Sequence, residues 1–365
     1  MQFSQILFLL SVVGSSLSHP GAHEGHDIAK RTAFLGNAKR SLADCSEQLK
    51  TRGIEAAAIA RRQALADSLR EKREIKKRAG YNRVRRDVDD VLNTDHKSSL
   101  TGLTASSDPS VLFTGDLKCV LQPEVTQGPY YVDGELIRAD MREDQPGIDL
   151  YADVQLIDVN TCTVMPNVYL DFWHCNSTGV YSGVVASGNG NSGDASNIDA
   201  TFLRGLINTD DSGVAQLTTI FPGHYTGRAT HVHILATQDA TVQANNTLTG
   251  GTVSHVGQLF FDQSLIAEVD TVAPYTGNSQ ALTTNAQDSI LSQEAASMDP
   301  VMEYVLLGDD IADGLLGWIT IGIDATAEYE VSSASTLTEN GGVANANSGA
   351  GGPGGAGGPG GAPPS

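Results

Sequence analysis

In the stretch Thr230-His231-Val232-His233-Ile234, polar and apolar residues alternate. Alternation of this kind indicates a β-strand with one buried face. Successive side chains of a strand point to opposite faces, so residues two positions apart share a face. The stretch therefore predicts a strand that directs His231 and His233 toward the same point.

The region from residue 98 to residue 335 consists of short apolar runs separated by turn residues, a pattern typical of strands. The clearest runs lie at residues 154–158, 168–173, 216–220, 257–261 and 318–323. Several strands spaced by turns predict a β-sandwich, and the region is long enough to bury a sizeable core. We therefore expect a mainly β protein with an antiparallel β-sandwich over residues 98–335.

The two ends of the chain have a different composition. Residues 1–18 contain an apolar run at residues 5–13 and the small residues Ser16-Leu17-Ser18, which predict a secretory signal peptide. This run is too short to span a bilayer, and no later segment is long enough, so we expect a secreted protein without a membrane partner. Residues 336–365 are rich in Gly and Pro, which predicts a disordered tail.

Residues 19–97 form a basic, partly helical N-terminal region. Of the 23 Lys and Arg residues, 18 lie at or before Lys97, together with 12 of the 43 Asp and Glu residues. The remainder of the chain is therefore strongly acidic, and the formal net charge of the whole is −20. An acidic surface argues against nucleic acid as a partner.

Residues 38–78 are predicted to be helical, because apolar residues follow a loose helical spacing in an Ala/Arg/Glu-rich stretch. The helices could pack on the sandwich or on a second subunit, which would give a homodimer. A third interpretation is a pro-region removed at dibasic pairs. Those pairs are Lys30-Arg31, Lys39-Arg40, Lys77-Arg78 and Arg85-Arg86.

The cysteines of a secreted chain are expected to form disulfides. The four allow three pairings, and we expect at least one bridge within Cys119, Cys162 and Cys175; the fourth is Cys45. No Cys-x-x-Cys pair is present, which argues against a thiolate metal site.

Glycosylation sequons begin at Asn176 and Asn245. We expect the glycan on Asn245, which lies in a polar loop. Asn176 lies close in sequence to Tyr181, where a glycan would crowd the candidate site described next.

Two tyrosines complete a candidate metal site with the histidine pair. Tyr181 and Tyr225 precede His231 and His233 in the chain, and Arg228 lies between them. Two imidazoles and two anionic, hard phenolate oxygens favour Fe(III) over softer ions. Arg228 could stabilise negative charge on a bound substrate. The alternative is a hydrogen-bonded histidine pair beside tyrosines that only pack.

Other histidines are interpreted differently. His174 and His224 lie next to the candidate ligands, and we expect them to make local hydrogen bonds or line the pocket. The N-terminal His19, His23 and His26 could bind copper weakly, but we expect them to be inert.

A wider set of motifs resembles one family. The motifs are Gly128-Pro129-Tyr130-Tyr131, Ile137-Arg138-Ala139-Asp140, residues 168–174, Gly179-Val180-Tyr181-Ser182-Gly183, Phe202-Leu203-Arg204-Gly205 with Thr209-Asp210, Pro222-Gly223-His224-Tyr225, and residues 228–233. In this order they resemble the intradiol ring-cleavage dioxygenases, non-haem Fe(III) enzymes of the catechol and protocatechuate dioxygenase type. Two departures are Gln127, where many relatives carry an acid, and the short link of six positions from Tyr225 to His231, in a loop that lines the family's pocket.

The resemblance implies a role for each site residue. Tyr181, Tyr225, His231 and His233 would be the iron ligands, Tyr225 would be the displaceable ligand and base, and Arg228 would stabilise charge on the substrate ring. The implied partners are a catechol-type aromatic and O2, and the implied product is a muconate-type dicarboxylic acid.

The leading hypothesis is therefore a secreted Fe(III) intradiol dioxygenase whose catalytic core is the sandwich. A second hypothesis is a non-catalytic secreted β-sandwich module that binds catechol, carbohydrate or metal. A third, suggested only by the Gly-rich tail, is a structural or cell-wall protein. The sequence leaves open which catechol is bound, the oligomeric state, the disulfide pairing and whether the N-terminal region is retained.

Overall fold

The computed structural model describes residues 45–75, 92, 95–97, 120–121, 128–191, 193–295 and 299–345. The strands in these ranges are β1 (Val120–Leu121), β2 (Val132–Asp133), β3 (Asp149–Asp158), β4 (Thr163–Val164), β5 (Tyr169–Trp173), β6 (Arg204–Asn208), β7 (Val214–Ile220), β8 (His231–Gln238), β9 (Thr241–Val242), β10 (Leu248–Thr249), β11 (Thr252–Phe260), β12 (Glu303–Leu306), β13 (Leu315–Ile323), β14 (Ser335–Thr338) and β15 (Gly341–Ala344). The α-helices are α1 (Ser46–Thr51), α2 (Ile54–Lys72), α3 (Gln263–Val269) and α4 (Ser289–Ala295).

Two sheets form the sandwich. The first has β3 and β13 as its parallel central pair, with β7 and β4 beside β3 and with β12 and β1 beside β13. The second is antiparallel, in the order β11-β8-β5-β6. The prediction of a mainly β sandwich is confirmed, and the parallel β3–β13 pair makes the first sheet mixed rather than purely antiparallel.

Strand alternation assigns the two faces of each sheet. The inner faces form one continuous core, to which β3 contributes Leu150 and Val154, β5 contributes Phe172, and β8 contributes Val232 and Ile234. Because the period of a strand is two, the neighbouring residues of β5 and β8 must point to the outer face of the second sheet. That outer face carries the candidate site.

The N-terminal helices pack on the outer face of the first sheet. Ala66 and Leu69 of α2 join a cluster with Trp318 of β13. Arg61 and Arg62 both pair with the buried carboxylate of Asp153, each at 2.9 Å. The structure shows the predicted packing on the sandwich, and two arginines of α2 are paired with an acid of the core.

The expectation of at least one bridge within Cys119, Cys162 and Cys175 is wrong. Cys45 and Cys162 form a bridge, and Cys175 is a buried free thiol, so neither can pair with Cys119. The reason is tertiary: the start of α1 lies against the end of β3, where Cys45 and Cys162 share a small buried cluster with Leu49. This bridge and the ion pairs of α2 attach the N-terminal helices to the core.

The predicted start of the disordered tail is also wrong. Residues 335–344 form the β14–β15 hairpin, and β14 also pairs with β2. Glycine serves close packing here, since a Cβ added at Gly342 would lie 1.9 Å from the carbonyl oxygen of Ile198.

Several predictions lie outside the described residues. They concern the signal peptide at 1–18, the N-terminal histidines, the four dibasic pairs and the tail from residue 346 onward. Among the described residues, none of the helices combines the length and the apolar character needed to cross a bilayer.

Candidate metal centre

The two histidines of β8 lie together on the outer face of the second sheet. Their Nε2 atoms are 3.0 Å apart, and both side chains are buried. The Nδ1 of His231 lies 2.6 Å from the carbonyl oxygen of Ala229. Because a carbonyl can only accept, that Nδ1 carries the proton, and in the neutral ring the lone pair belongs to Nε2. The strand thus presents a ligand-competent nitrogen toward the position between the two rings.

The two tyrosines come from separate loops and meet these histidines. The Oη of Tyr225 lies 3.4 Å from Nε2 of His231. The rings of Tyr181 and Tyr225 have centroids 5.5 Å apart, and the Tyr181 and His233 rings have centroids 6.0 Å apart. All four residues proposed from the sequence are therefore brought together.

The hydroxyl of Tyr181 is buried and has no hydrogen-bond partner, and the same is true of Nδ1 of His233. An unsatisfied buried polar group costs about 1–3 kcal/mol. A cation bound between the four side chains would supply the missing partner of the Tyr181 oxygen.

Burial sets the protonation states of these groups. It raises the pKa of the Tyr181 and Tyr225 phenols well above the ordinary value, while the nearby charge of Arg228 acts in the opposite direction on both. Burial, followed by the neighbouring His231, lowers the pKa of His233 well below its ordinary value. His233 is therefore neutral and able to bind a cation, whereas the phenols ionise only when a cation replaces their protons.

Two asparagines that were not predicted from the sequence hold the loop after Tyr181. The Oδ1 of Asn189 accepts from the backbone N–H of Tyr181 at 2.8 Å, and Asn189 and Asn197 both donate to its carbonyl. Both asparagines are buried. In the sequence, Asn189 lies in a Gly/Ser/Asn-rich stretch, which looks like an ordinary loop.

Trp173 supports the other side of the centre. Its ring stacks on His233 with the centroids 4.9 Å apart and the planes 7° from parallel. Register explains the contact, because Trp173 of β5 lies directly opposite His233 of β8.

His174 and His224 make hydrogen bonds away from the centre, as predicted. His174 contacts the Cys175 carbonyl and the Thr219 hydroxyl, both at 2.7 Å, and burial lowers its pKa to about 4. The Nε2 of His224 lies 3.1 Å from the carbonyl oxygen of Gln280.

Arg228 lies in the tight turn that follows Tyr225. Gly227 has φ +93°, a conformation that favours glycine, and Tyr225 and Arg228 form an isolated antiparallel bridge. The Nε of Arg228 donates to Asp288 at 2.7 Å, and its Nη2 donates to the side-chain oxygen of Gln258 at 2.6 Å. The guanidinium is completely buried.

Asp288 remains ionised despite its burial. Burial by itself would raise the pKa of this carboxyl group, but the charge of Arg228 and several hydrogen bonds hold the pKa below its ordinary value. Neither Asp288 nor Gln258 was selected from the sequence, because both are far from Arg228 along the chain.

The donor set of this candidate centre differs from that of common metal sites. Within the described part of the chain, no group of three or more His, Cys, Asp and Glu residues could hold a metal ion. The present centre has only two such residues, and its other two donors are phenol oxygens. Two nitrogens with two hard oxygens suit a hard, oxidised transition metal.

Comparison with known proteins agrees with this geometry. Residues 123–271 match the family model Dioxygenase_C, described as dioxygenase. The matched segment contains Tyr181, Tyr225, Arg228 and both histidines. Comparison with the curated proteins returned no match.

Several solved structures are similar to this chain. An intradiol ring-cleavage dioxygenase from Tetranychus urticae is 26% identical, with a TM-score of 0.48, over 58% of this chain and 98% of that one. The dioxygenase domain of a carbohydrate-binding fusion protein from Streptomyces sp. SirexAA-E is 22% identical, with a TM-score of 0.36, over 58% of this chain and 99% of that one. Catechol 1,2-dioxygenase from Pseudomonas arvilla C-1 is 17% identical, with a TM-score of 0.37, over 58% of this chain and 67% of that one.

The matched segment indicates a dioxygenase, an enzyme of the oxidoreductase class. Over residues 123–271 the chain is similar to the dioxygenase family, and its resemblance to the intradiol ring-cleavage members is confirmed.

Proposed function

We propose that this protein is an Fe(III)-dependent intradiol dioxygenase that inserts both atoms of O2 into a catechol-type aromatic and yields a muconate-type dicarboxylic acid. The observation that carries the proposal is the convergence of four buried donors around one point. Among them, the Tyr181 hydroxyl has no partner in the protein. The family match supports the reaction class.

The four residues fit a ferric ion. Tyr181 and Tyr225 would hold it through Oη, and His231 and His233 through Nε2. When bound, Fe(III) would keep both tyrosines as phenolates, accept the two oxygens of the catechol, and make the substrate ring reactive toward O2.

The two tyrosines have different supports, which favours different roles. Both the N–H and the carbonyl of Tyr181 are bonded to buried asparagine side chains, so we assign this residue to the permanent position. Tyr225 lies at the start of the Tyr225–Arg228 turn, and its Oη is close to His231. We assign Tyr225 Oη as the base that accepts one proton from the entering catechol hydroxyl.

Arg228 supplies positive charge beside these oxygens. Its charge acts on both phenols in the direction that favours phenolate, which indicates that it acts electrostatically at the centre. During O2 attack it would stabilise negative charge on the substrate ring. Removing one such positioned group typically costs about 100-fold or more in turnover.

We also propose that the protein is secreted. The N-terminal apolar run and the Cys45–Cys162 disulfide both support an oxidising compartment. N-terminal sequencing of protein recovered from the culture medium tests this proposal. We expect a new N-terminus near His19, and retention in the cell with an intact Met1 would contradict it.

The visible absorption spectrum of the purified protein tests the proposed chemistry. Loading with ferric iron should give a red-brown tyrosinate charge-transfer band that shifts on anaerobic addition of catechol. Admitting O2 should then consume the catechol with equimolar O2 uptake. The Tyr181→Phe/Tyr225→Phe double variant should stay colourless. A wild-type protein that stays colourless after loading would instead indicate a non-catalytic binding module.

A further inference from the structure

Asp288 makes an extensive set of contacts at the edge of the metal centre. Its carboxylate accepts from Nε of Arg228 at 2.7 Å and from the backbone N–H of Ala229 at 2.8 Å. It also accepts from the N–H groups of Ile290 and Leu291, both at 2.9 Å, at the start of α4. Asp288 is 1% exposed. One buried side chain therefore joins the Arg228 turn to a helix.

Asp288 ends a stretch of chain that runs along the turn. This 278–288 segment comprises residues 278–288. The side chain of Asn278 donates to the carbonyl of His224 at 2.8 Å, and Thr283 accepts from the N–H of Gly227 at 3.1 Å. The 278–288 segment thus bonds the backbone on both sides of Tyr225.

Gln280 of the 278–288 segment contacts the loops that carry both tyrosines. Its Oε1 accepts from the N–H of Thr226 at 3.2 Å, immediately after Tyr225. Its Nε2 donates to the carbonyls of Thr178 and Gly179 at 3.0 and 3.1 Å, just before Tyr181. The family match ends at residue 271, so the 278–288 segment lies outside the matched region.

We propose that Asp288 is a positioning residue that fixes the orientation of the Arg228 guanidinium at the metal centre. The inference rests on the proposed function, and it adds to that function a residue supplied from outside the family segment. In this role Asp288 acts through Arg228 and need not touch the substrate.

The physical reason is that a charge stabilises a transition state best when its position is fixed beforehand. An arginine side chain has several rotatable bonds, and ordering it costs conformational entropy. The two-atom contact with Asp288 restricts the plane of the guanidinium, because Nη2 also lies 3.4 Å from the second carboxylate oxygen. The hydrogen bond from Nη2 of Arg228 to Gln258 further restricts the orientation of the guanidinium.

A purely structural role for Asp288 is the alternative, since it also bonds the first N–H groups of α4. The two roles differ in their coupling to Arg228. If Asp288 acts through Arg228, its substitution should matter little once the guanidinium is gone. If it only stabilises the fold, its effect should be independent of residue 228.

The experiment compares iron-loaded wild-type protein with Asp288→Asn, Arg228→Gln and the double variant. Asparagine keeps the size of the side chain and one acceptor oxygen while it removes the charge. Asp153→Asn is the matched control, because Asp153 is another completely buried aspartate paired with arginine, on the opposite sheet. The readouts are the charge-transfer band, the melting temperature, kcat and KM for catechol.

We expect Asp288→Asn to keep the resting band and to lose about 10-fold or more in kcat, with KM changed much less. The double variant should be no slower than Arg228→Gln. Asp153→Asn should lower the melting temperature and leave kcat unchanged.

Two results would overturn the inference while the proposed function stands: full activity of Asp288→Asn, or losses that multiply in the double variant. A colourless, inactive wild-type protein is a different outcome, which would overturn the proposed function and the positioning role with it.

Discussion

The Nε2 atoms of His231 and His233 face each other at 3.0 Å on the outer face of the second sheet. The His231 nitrogen carries a lone pair, because its Nδ1 donates to the Ala229 carbonyl. Tyr225 approaches the same nitrogen, and Tyr181 lies beside both rings. The sheet thus fixes two donors by strand geometry alone, while two loops bring the others.

Trp173 should contribute to both stability and site geometry, because its buried ring stacks on His233. We expect Trp173→Ala to lower the free energy of unfolding by about 3–5 kcal/mol, the usual cost of truncating a large buried aromatic side chain. Trp173→Phe should lose much less of the free energy of unfolding and should retain the iron band. Urea denaturation and the visible spectrum check these outcomes, and equal losses in the two variants would contradict the stacking role.

Asp153 should make the protein sensitive to acid. Burial alone would raise its pKa, but Arg62 and Arg61 lower it to about 2. A carboxyl group with a lowered folded-state pKa stabilises the protein above its unfolded pKa near 4, and this contribution is lost as pH falls toward 2. Such a shift corresponds to roughly 2–3 kcal/mol.

The measurement is the free energy of unfolding between pH 7 and pH 2.5 for wild type and Asp153→Asn. We expect the variant to be less stable at pH 7 and the difference to shrink as the pH falls through this range. A difference that stays constant with pH would show that the ion pairs contribute nothing specific to the charged form.

The disulfide should be a major source of stability, because Cys45 and Cys162 are separated by 117 positions. Closing so long a loop restricts the unfolded chain and typically contributes about 2–5 kcal/mol. We expect the Cys45→Ser/Cys162→Ser double variant to unfold at lower denaturant concentration. Cys175→Ser, which removes the buried free thiol, is the control that should leave the effect of a reducing agent on stability unchanged.

The centre should prefer uncharged catechols over those that carry a carboxylate. Every described arginine of the sandwich is already bonded or paired to a carboxylate. The pairs are Arg138–Glu143, Arg142–Asp140, Arg204–Glu135 and Arg228–Asp288. Burying a substrate carboxylate without a cation is costly. We expect kcat/KM for catechol to exceed that for 3,4-dihydroxybenzoate by about 10-fold or more. Equal values would contradict this prediction.

Asn245 should be the glycosylated sequon. Asn245 is exposed, near the β9–β10 turn. The Nδ2 of Asn176, to which a glycan would attach, instead donates to Gln145 at 3.1 Å, and its Oδ1 accepts from Val180 at 3.1 Å. Intact-mass analysis of secreted Asn245→Gln should show loss of the glycan, whereas Asn176→Gln should keep it. A glycan that survives in Asn245→Gln would contradict the assignment.

Much of the site was predictable because its chemistry is local. The alternation around His231 and His233 specifies a strand and places both rings on one face, and the resemblance supplied Tyr181, Tyr225 and Arg228. The supporting residues could not be predicted in this way. Asn189 looks like part of a polar loop, and Asp288 lies 60 positions from Arg228.

The sequence by itself determined the mainly β class and the residues of the candidate metal centre, because strand periodicity and sequence motifs are properties of short segments. The tertiary structure decided that Cys45 pairs with Cys162, that β3 and β13 run parallel, and that Asp288 holds Arg228. Each of these contacts joins segments distant along the chain. Their proximity depends on how the two sheets, the helices and the loops pack together, which no local pattern records.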